Sequence, residues 1–250
     1  MASSDCATRR GFAMVRPMEL SAPETLPLAG ANTPILWRRN KRARRVSLRI
    51  EPRAGLVVVT LPPRAGRRAG LALLTEHAGW IATRLAALPG GIPFTPGALV
   101  PLGGIDHRIR HLPAARRGAW LEAGEICVSG GVEFLARRVR DLLRREATRR
   151  LSMLAAEKAL ILGVQVRRVR VRDTRSRWGS CGPDGALAFS WRLVMAPPFV
   201  QDYVAAHEVA HLRHLNHGPR FWALVRKLTP HTDAAISWLR KEGTRLVRIG

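Results

Sequence analysis

Cysteine is scarce in this chain. Cys6, Cys127 and Cys181 lie far apart and are odd in number, which argues against a disulfide scaffold and suits a reducing cytoplasm. Long apolar runs are missing as well. No stretch approaches the roughly 18 uninterrupted apolar residues of a membrane-spanning helix. The N-terminal segment holds Arg9, Arg10 and Arg16 but no apolar core segment, so no secretory signal is expected. No internal repeat is evident. Acidic residues are few, 18 Asp and Glu against 42 Lys and Arg, for a formal net charge of +24. Codon bias can exchange Lys for Arg but cannot remove acids. The imbalance therefore stands, and it favours encounters with nucleic acid, nucleotides or acidic surfaces without naming one. What is present, 46% hydrophobic and 24% charged over 250 residues, is the composition of a globular protein with one large or two small domains.

Residues 1–33 are rich in Ser, Ala and Pro without sustained periodicity and read as a disordered tail. After Trp37, the basic run Arg38 to Arg45 leads into a strand at Val46 to Ile50. A turn at Pro52 to Gly55 and a second strand at Leu56 to Leu61 complete a hairpin. Arg67 to Leu88 is helical in character, and strand-like pieces follow at Leu99 to Leu112 and Glu125 to Val128. Together, 34–131 reads as an N-terminal mixed α/β subdomain. From Val132 to Leu162 there is neither Pro nor Gly, and Gly163 stands where a helix C-cap belongs. Leu135, Val139, Leu142, Leu143, Leu151 and Leu154 recur at helical spacing, with arginines between them. This is a long linking helix whose basic face reads as solvated surface. Strands are expected at Val164 to Val171 and at Ala186 to Val194, with Pro183-Asp184-Gly185 as the turn signal between them. Helices are expected from Pro197 to about Arg213, from Pro219 to Pro230, and from a Thr232 cap to about Gly243. The third segment, 132–250, reads as the domain that carries chemistry.

Four of the eight histidines fall within His207-Glu208-Val209-Ala210-His211-Leu212-Arg213-His214-Leu215-Asn216-His217. On a helix, His207 and His211 present two imidazoles on one face, within reach of one metal ion. Glu208 is too close in sequence to be a comfortable ligand but is well placed to contact a metal-bound water. His214 stays on the same helical face yet lies roughly 10 Å along the axis from His207, too far to share one tetrahedral ion. His217 fits if the chain turns back. Asn216 and Gly218 tolerate left-handed backbone, and Pro219 blocks easy continuation of the helix. His217 is thus favoured as third ligand, with Asp233 and Glu242 as carboxylate alternatives. Three neutral ligands leave a fourth zinc position open to water, the mark of a catalytic rather than a structural site. Zinc lowers that water's pKa, and Glu208 can take its proton and pass it to a leaving amine.

Arg175-Ser176-Arg177-Trp178-Gly179-Ser180-Cys181, Trp191-Arg192-Leu193 with Pro197, Tyr203-Val204 before His207-Glu208, and Asn216-His217 before Phe221-Trp222 together resemble the YgjP-like metallopeptidases, relatives of the SprT-type zinc proteases. The resemblance is clear over about Arg175 to Leu239. It is weaker at Arg44 to Pro62, Trp80-Ile81 and Leu102-Gly103. It implies an α+β fold with a zincin-like core, in which a small sheet packs on the metal-binding helix. By the same resemblance, His207, His211 and His217 hold one Zn2+ per chain and Glu208 is the catalytic base. Ser190 and His231 depart from the family's common Asn and Asp, which bears on substrate preference rather than on the ligands. No Gly stands at position 214 and no Met-turn follows, so a metzincin is disfavoured. Cys181 reads as part of a structural turn. Tyr203, one helical turn before His207, reads first as core and secondly as a group that orients His207 or helps stabilise an oxyanion. Trp178, Trp191, Trp222 and Trp238 read as core around the site. The strand from Ala186 to Arg192 offers an edge to an extended peptide, with Arg192 a candidate for a substrate carboxylate or phosphate.

The leading expectation is a cytoplasmic zinc metalloprotease acting on protein or peptide substrates, with no membrane partner. The second is a metal-dependent nucleoside triphosphate phosphohydrolase, with Arg38 to Arg45 holding phosphates. The third is a non-enzymatic nucleic-acid-binding module with a structural zinc; no base-reading motif supports it.

Overall fold

The computed structural model of the protein describes residues 22–174 and 177–250. Residues 1–21, and Arg175 and Ser176 of the motif above, lie outside them. The described residues divide into two compact units, one of residues 22–51 and 55–87, the other of 52–54 and 88–250. No described helix is long and apolar enough to cross a membrane.

In the first unit, β1 (Glu24–Leu28), β2 (Ala31–Arg39), β3 (Ser47–Glu51) and β4 (Leu56–Leu61) form a sheet ordered β1-β2-β4-β3. β2 and β4 run parallel, and the other pairs are antiparallel. The β3–β4 hairpin is where the alternating pattern puts it. β1 and the start of β2 fall inside the segment read as a tail, so that reading is corrected for residues 24–33. Pro27 and Pro34 hid these strands by interrupting the usual strand composition. The helical stretch after β4 is two helices, α1 (Arg67–Glu76) and α2 (Ala78–Ala86), with His77 between them. Leu74 and Ile81 from these helices complete a core with Leu28, Ile35, Val57, Val59 and Leu61.

The second unit begins with β5 (Leu99–Leu102), β6 (Ile105–Leu112), β7 (Ala119–Glu122) and β8 (Glu125–Ser129), ordered β5-β6-β8-β7 with β6 and β8 parallel. This is the strand order and sense of the first sheet over again. The sequence shows no repeat, so the topology recurs without the residues. The first hairpin turns, Ala29-Gly30 and Gly103-Gly104, each place two successive residues at positive φ, as tight two-residue hairpins require. Because Val100, Ile109, Ile126 and Val128 share one core with the helices that follow, residues 88–131 belong to the second unit. The boundary expected after 131 therefore moves to 87.

A short 3-10 turn, Val132–Phe134, leads into α3 (Leu135–Leu162). Gly163 ends it in the left-handed conformation (φ 61°, ψ 41°), and the Val164 N–H donates to the Ala159 carbonyl at 3.1 Å. The buried stripe of α3 runs Leu135, Val139, Leu143, Ala147, Leu151, Ala155, and its alanines let α4 (Pro198–Ala210) approach closely. Lys158 is buried on this stripe and pairs with Asp202 of α4 at 2.6 Å and with Glu157 at 3.0 Å. β9 (Arg168–Arg172), β10 (Gly179–Cys181) and β11 (Ala186–Ser190) form a sheet ordered β10-β11-β9. The Pro183-Asp184-Gly185 turn joins β10 to β11, and a 3-10 turn, Trp191–Met195, ends the strand that the sequence extends to Val194. α5 (Pro219–Leu228) and α6 (Thr232–Val247) complete the unit, the latter running past Gly243 with His231 at its N-cap. The fold is α+β, with three small mixed sheets and six helices among the described residues. As the zincin resemblance implies, the smallest sheet packs against the helix carrying His207.

Leu143 is fully buried where α3 meets the core of the second unit. Truncation by Leu143→Ala removes that packing and leaves a cavity. Chemical denaturation is expected to show a loss of about 2–5 kcal/mol in the transition of this unit.

Candidate metal centre

Almost every face of α4 is buried. Val200, Gln201, Tyr203, Val204, Ala205, Ala206, Glu208, Val209 and Ala210 are all inside. Pro198 opens the helix at N1, where a missing N–H costs nothing. The Gln201 side chain donates to the carbonyls of Ala196 (2.7 Å) and Val194 (3.3 Å), tying the helix to the preceding 3-10 turn. With α4 so held, His207 and His211 project from its one accessible side.

The turn that returns His217 to them differs from the one expected. Gly218 is extended (φ −78°, ψ 179°), and Asn216 is not among the residues at positive φ. The helix instead tightens as it ends. Leu212 and Arg213 donate to the carbonyls three residues back, Val209 at 3.0 Å and Ala210 at 3.1 Å. A Gly218 N–H to Asn216 carbonyl bond of 2.9 Å then redirects the chain into α5. No left-handed residue is needed at either position.

Nε2 of His217 and Nε2 of His207 lie 3.1 Å apart. Two ligands about 2.05 Å from a tetrahedral ion are roughly 3.3 Å apart, so the spacing fits zinc. One nitrogen from each of His207, His211 and His217 falls within 4.8 Å of the others, and among the described residues no other such group of His, Cys, Asp or Glu occurs. Nδ1 of His211 lies 3.0 Å from the His214 carbonyl, to which it donates, leaving its Nε2 lone pair free for a metal. Tyr203 Oη lies 3.5 Å from Nδ1 of His207, on the side away from His217. Burial, with His211 and His217 beside it, pushes His207 down to about 4, so its imidazole is neutral at physiological pH. Phe221, fully buried, floors the cluster with its ring 5.0, 4.6 and 4.7 Å from the rings of His207, His211 and His217.

Glu208 is 5% exposed and is not hydrogen-bonded to any described side chain. Burial pushes its carboxyl up to about 7, opposed in part by the positive charge of Arg177. Its side chain lies against β10, where a Cβ at Gly179 would come within 2.5 Å of Oε1. Gly179 is therefore required for space, not for backbone freedom. A glycine inside a strand pattern, between Trp178 and Ser180, is the signal for such a close approach. Sequence reasoning named Gly179 and Phe221 within the motifs but missed their roles, and it missed the use of the His214 carbonyl rather than its imidazole.

Other expectations divide. Tyr203 stands beside the histidines, and burial followed by the charges of Glu208 and Asp233 raises its phenol pKa. Asp233 and Glu242 are not in the three-nitrogen group, although Asp233 lines the cleft beside His217. Cys181 is half-buried on β10, its pKa raised by burial and by Glu208 and Asp184, and it does not join the group either. Trp191 is fully buried, and Trp178, Trp222 and Trp238 pack against the core. Arg192 is no substrate contact. Its side chain is 0% exposed, it pairs with Asp173 and donates to the Gly250 carbonyl at 2.9 Å. The 3-10 turn at Trp191–Met195 points it inward, where a strand would have presented it at an edge. β11 likewise has no free edge, because β10 and β9 flank it; the edge strands of this sheet are β10 and β9, and β10 is the one beside Glu208.

A helix with two histidines a turn apart, a third returned to them by the next segment, and a buried glutamate adjoining the first brings together groups that could hold a metal ion and contact a water on it. The family comparison agrees: the model of the YgjP-like, metallopeptidase domain matches residues 44–242, and the chain belongs to that family. Membership implies a metal, typically zinc. Among solved structures, the metallopeptidase zymogen abylysin of Pyrococcus abyssi is similar at 24% identity and a TM-score of 0.33, over 37% of this chain and 92% of its own. No curated protein sequence matches the chain.

Asp173 is the carboxylate that neutralises the buried Arg192. Burial works against the ionised form of Asp173, but Arg192 and Arg53 outweigh it and hold the pKa below its usual value. Asp173→Ala strands the guanidinium, and a loss of about 3 kcal/mol is expected by denaturant titration. Arg192→Met made together with Asp173→Ala should recover much of it.

Proposed function

We propose that the protein is a zinc-dependent peptidase in which His207, His211 and His217 hold one ion and Glu208 acts as the general base. The observation that carries this is the convergence of three imidazole nitrogens within 4.8 Å, beside a buried carboxylate on the same helix. Zinc, when bound, supplies Lewis acidity, which acidifies water and polarises a carbonyl. The chain's own groups supply the rest. Glu208, packed on Gly179, accepts the proton of an attacking water at a carboxylate oxygen and returns it to the nitrogen of the leaving amine. Tyr203 Oη accepts from Nδ1–H of His207 and holds that ring with Nε2 toward the ion. The open side of β10 presents backbone N–H and C=O groups of Gly179–Cys181 to an extended peptide, next to Glu208. Free thiols at Cys127 and Cys181 support a reducing compartment such as the cytoplasm.

Elemental analysis of protein prepared with zinc is expected to find about one ion per chain, and His217→Ala to lose most of it. Zinc retained in His217→Ala would move the third ligand elsewhere.

Zinc-loaded wild type is expected to cleave a mixture of unstructured peptides. Glu208→Gln should keep its zinc and lose activity by about 100-fold or more. Gly179→Ala, which crowds the carboxylate, should also keep zinc and lose at least about tenfold. Release of pyrophosphate or phosphate from nucleoside triphosphates, abolished in Glu208→Gln and accompanied by no peptide cleavage, would replace peptide by nucleotide as substrate. Bound zinc with no hydrolysis of either would leave a binding module.

A further inference from the structure

A cleft opens at His217, one of the three clustered histidines. Beside His217 it has a volume of about 550 Å³, with Pro219, Trp222, Ala223 and Arg226 of α5 on one side and Thr232, Asp233 and Ile236 of α6 on the other. A second hollow of about 550 Å³ shares Asp233 and Ile236 and continues along α6 past Ser237 to Arg240 and Lys241. The shared residues make them one groove. Along α6 its lining recurs every three or four residues, so a single helical face lines it from the metal centre outward.

The groove changes character along its length. Near His217 its lining is largely apolar, with Trp222, Ala223 and Ile236, a surface that suits side-chain stems. Its charge is lopsided, with Arg226, Arg240 and Lys241 exposed against the one carboxylate of Asp233. Among the described residues, none of these four forms an ion pair. Some exposed arginines of the second unit find acids, as Arg149 finds Glu146 and Arg167 finds Asp184, while others such as Arg144 and Arg170 form no ion pair among the described residues; what sets Arg226, Arg240 and Lys241 apart is their place along the groove. Unpaired cations along a groove that opens at the reacting centre attract an anionic group and repel a cationic one.

Resting on the peptidase reading, we propose that this groove holds the substrate chain on one side of the scissile bond, and that Arg226, Arg240 and Lys241 select an acidic side chain there. The substrate class is then a peptide with Asp or Glu within a few residues of the cut. Exposed charge pairs are individually weak, but the summed positive potential of the cations along the groove gives an acidic side chain a preference of about tenfold over the uncharged amide.

The test starts from a random-sequence peptide mixture cut by the zinc-loaded wild type, with cleavage sites mapped by mass spectrometry. Two quenched fluorescent peptides follow, identical except for Glu or Gln at the enriched position. The wild type is expected to enrich Asp and Glu at one position and to favour the Glu peptide in kcat/KM by about tenfold. In Arg240→Glu/Lys241→Glu, or in Arg226→Glu, the ratio of the two peptides is expected to fall to parity or invert. Because the ratio is taken within one variant, a general loss of activity does not imitate it. The same ratio, read as Kd by fluorescence anisotropy in the Glu208→Gln background, covers a variant too slow to assay. Cleavage without acidic enrichment, or a ratio that survives all three charge reversals, overturns the proposal and leaves the peptidase reading standing. No cleavage of any peptide by zinc-loaded protein overturns the peptidase reading, and the proposal with it.

Discussion

Three imidazole nitrogens have to meet at one point although they come from two segments of chain, and the burial of α4 is what makes this possible. A helix free on one side can roll by tens of degrees, which would carry His207 and His211 away from any fixed third group. α4 has no such freedom. Gln201 ties its start to the 3-10 turn, Lys158 of α3 is locked to Asp202, and its alanines sit tight against the core. The second segment then needs only a short return. Tightened hydrogen bonding at the helix end and Pro219 at the start of α5 accomplish it, and Phe221 settles all three rings from below.

The carboxylate depends on the same rigidity. Glu208 is buried beside His207 because Gly179 leaves room for it on β10, and the strand that creates this room is an edge strand of its sheet. Arg192 illustrates the opposite outcome. Its guanidinium lies inside the protein with Asp173, so it contributes to holding the 3-10 turn rather than to recognising a ligand. The cations that line the groove beyond His217, Arg226 on α5 and Arg240 and Lys241 on α6, come from two separate helices that each pack on α4. The overall excess of positive charge says nothing about which arginines these are.

The two four-stranded sheets share the order of first, second, fourth and third strand, with the second and fourth parallel. Their sequences carry no common pattern, since any apolar residues of suitable size can fill such a sheet's inner face. The same degeneracy hid the boundary between the units. Val100, Ile109 and Val128 look like any short strands, and nothing local says that they share a core with Leu143 and Phe189 rather than with Val57 and Ile81.

The sequence by itself determined what depends on local spacing: the pairing of His207 with His211, the place of Glu208 one residue on, the length of α3 up to Gly163, and the β3–β4 hairpin. Each follows from helix or strand periodicity and from residues that constrain their own backbone. Only the tertiary structure decided what depends on distant partners. It set which strands of the small sheet lie at its edges, that Arg192 is buried, that Gly179 accommodates Glu208, and that the groove beyond His217 is lined by unpaired cations. These contacts join residues tens of positions apart, and pairings at that range arise from packing a shared core, which no local pattern encodes.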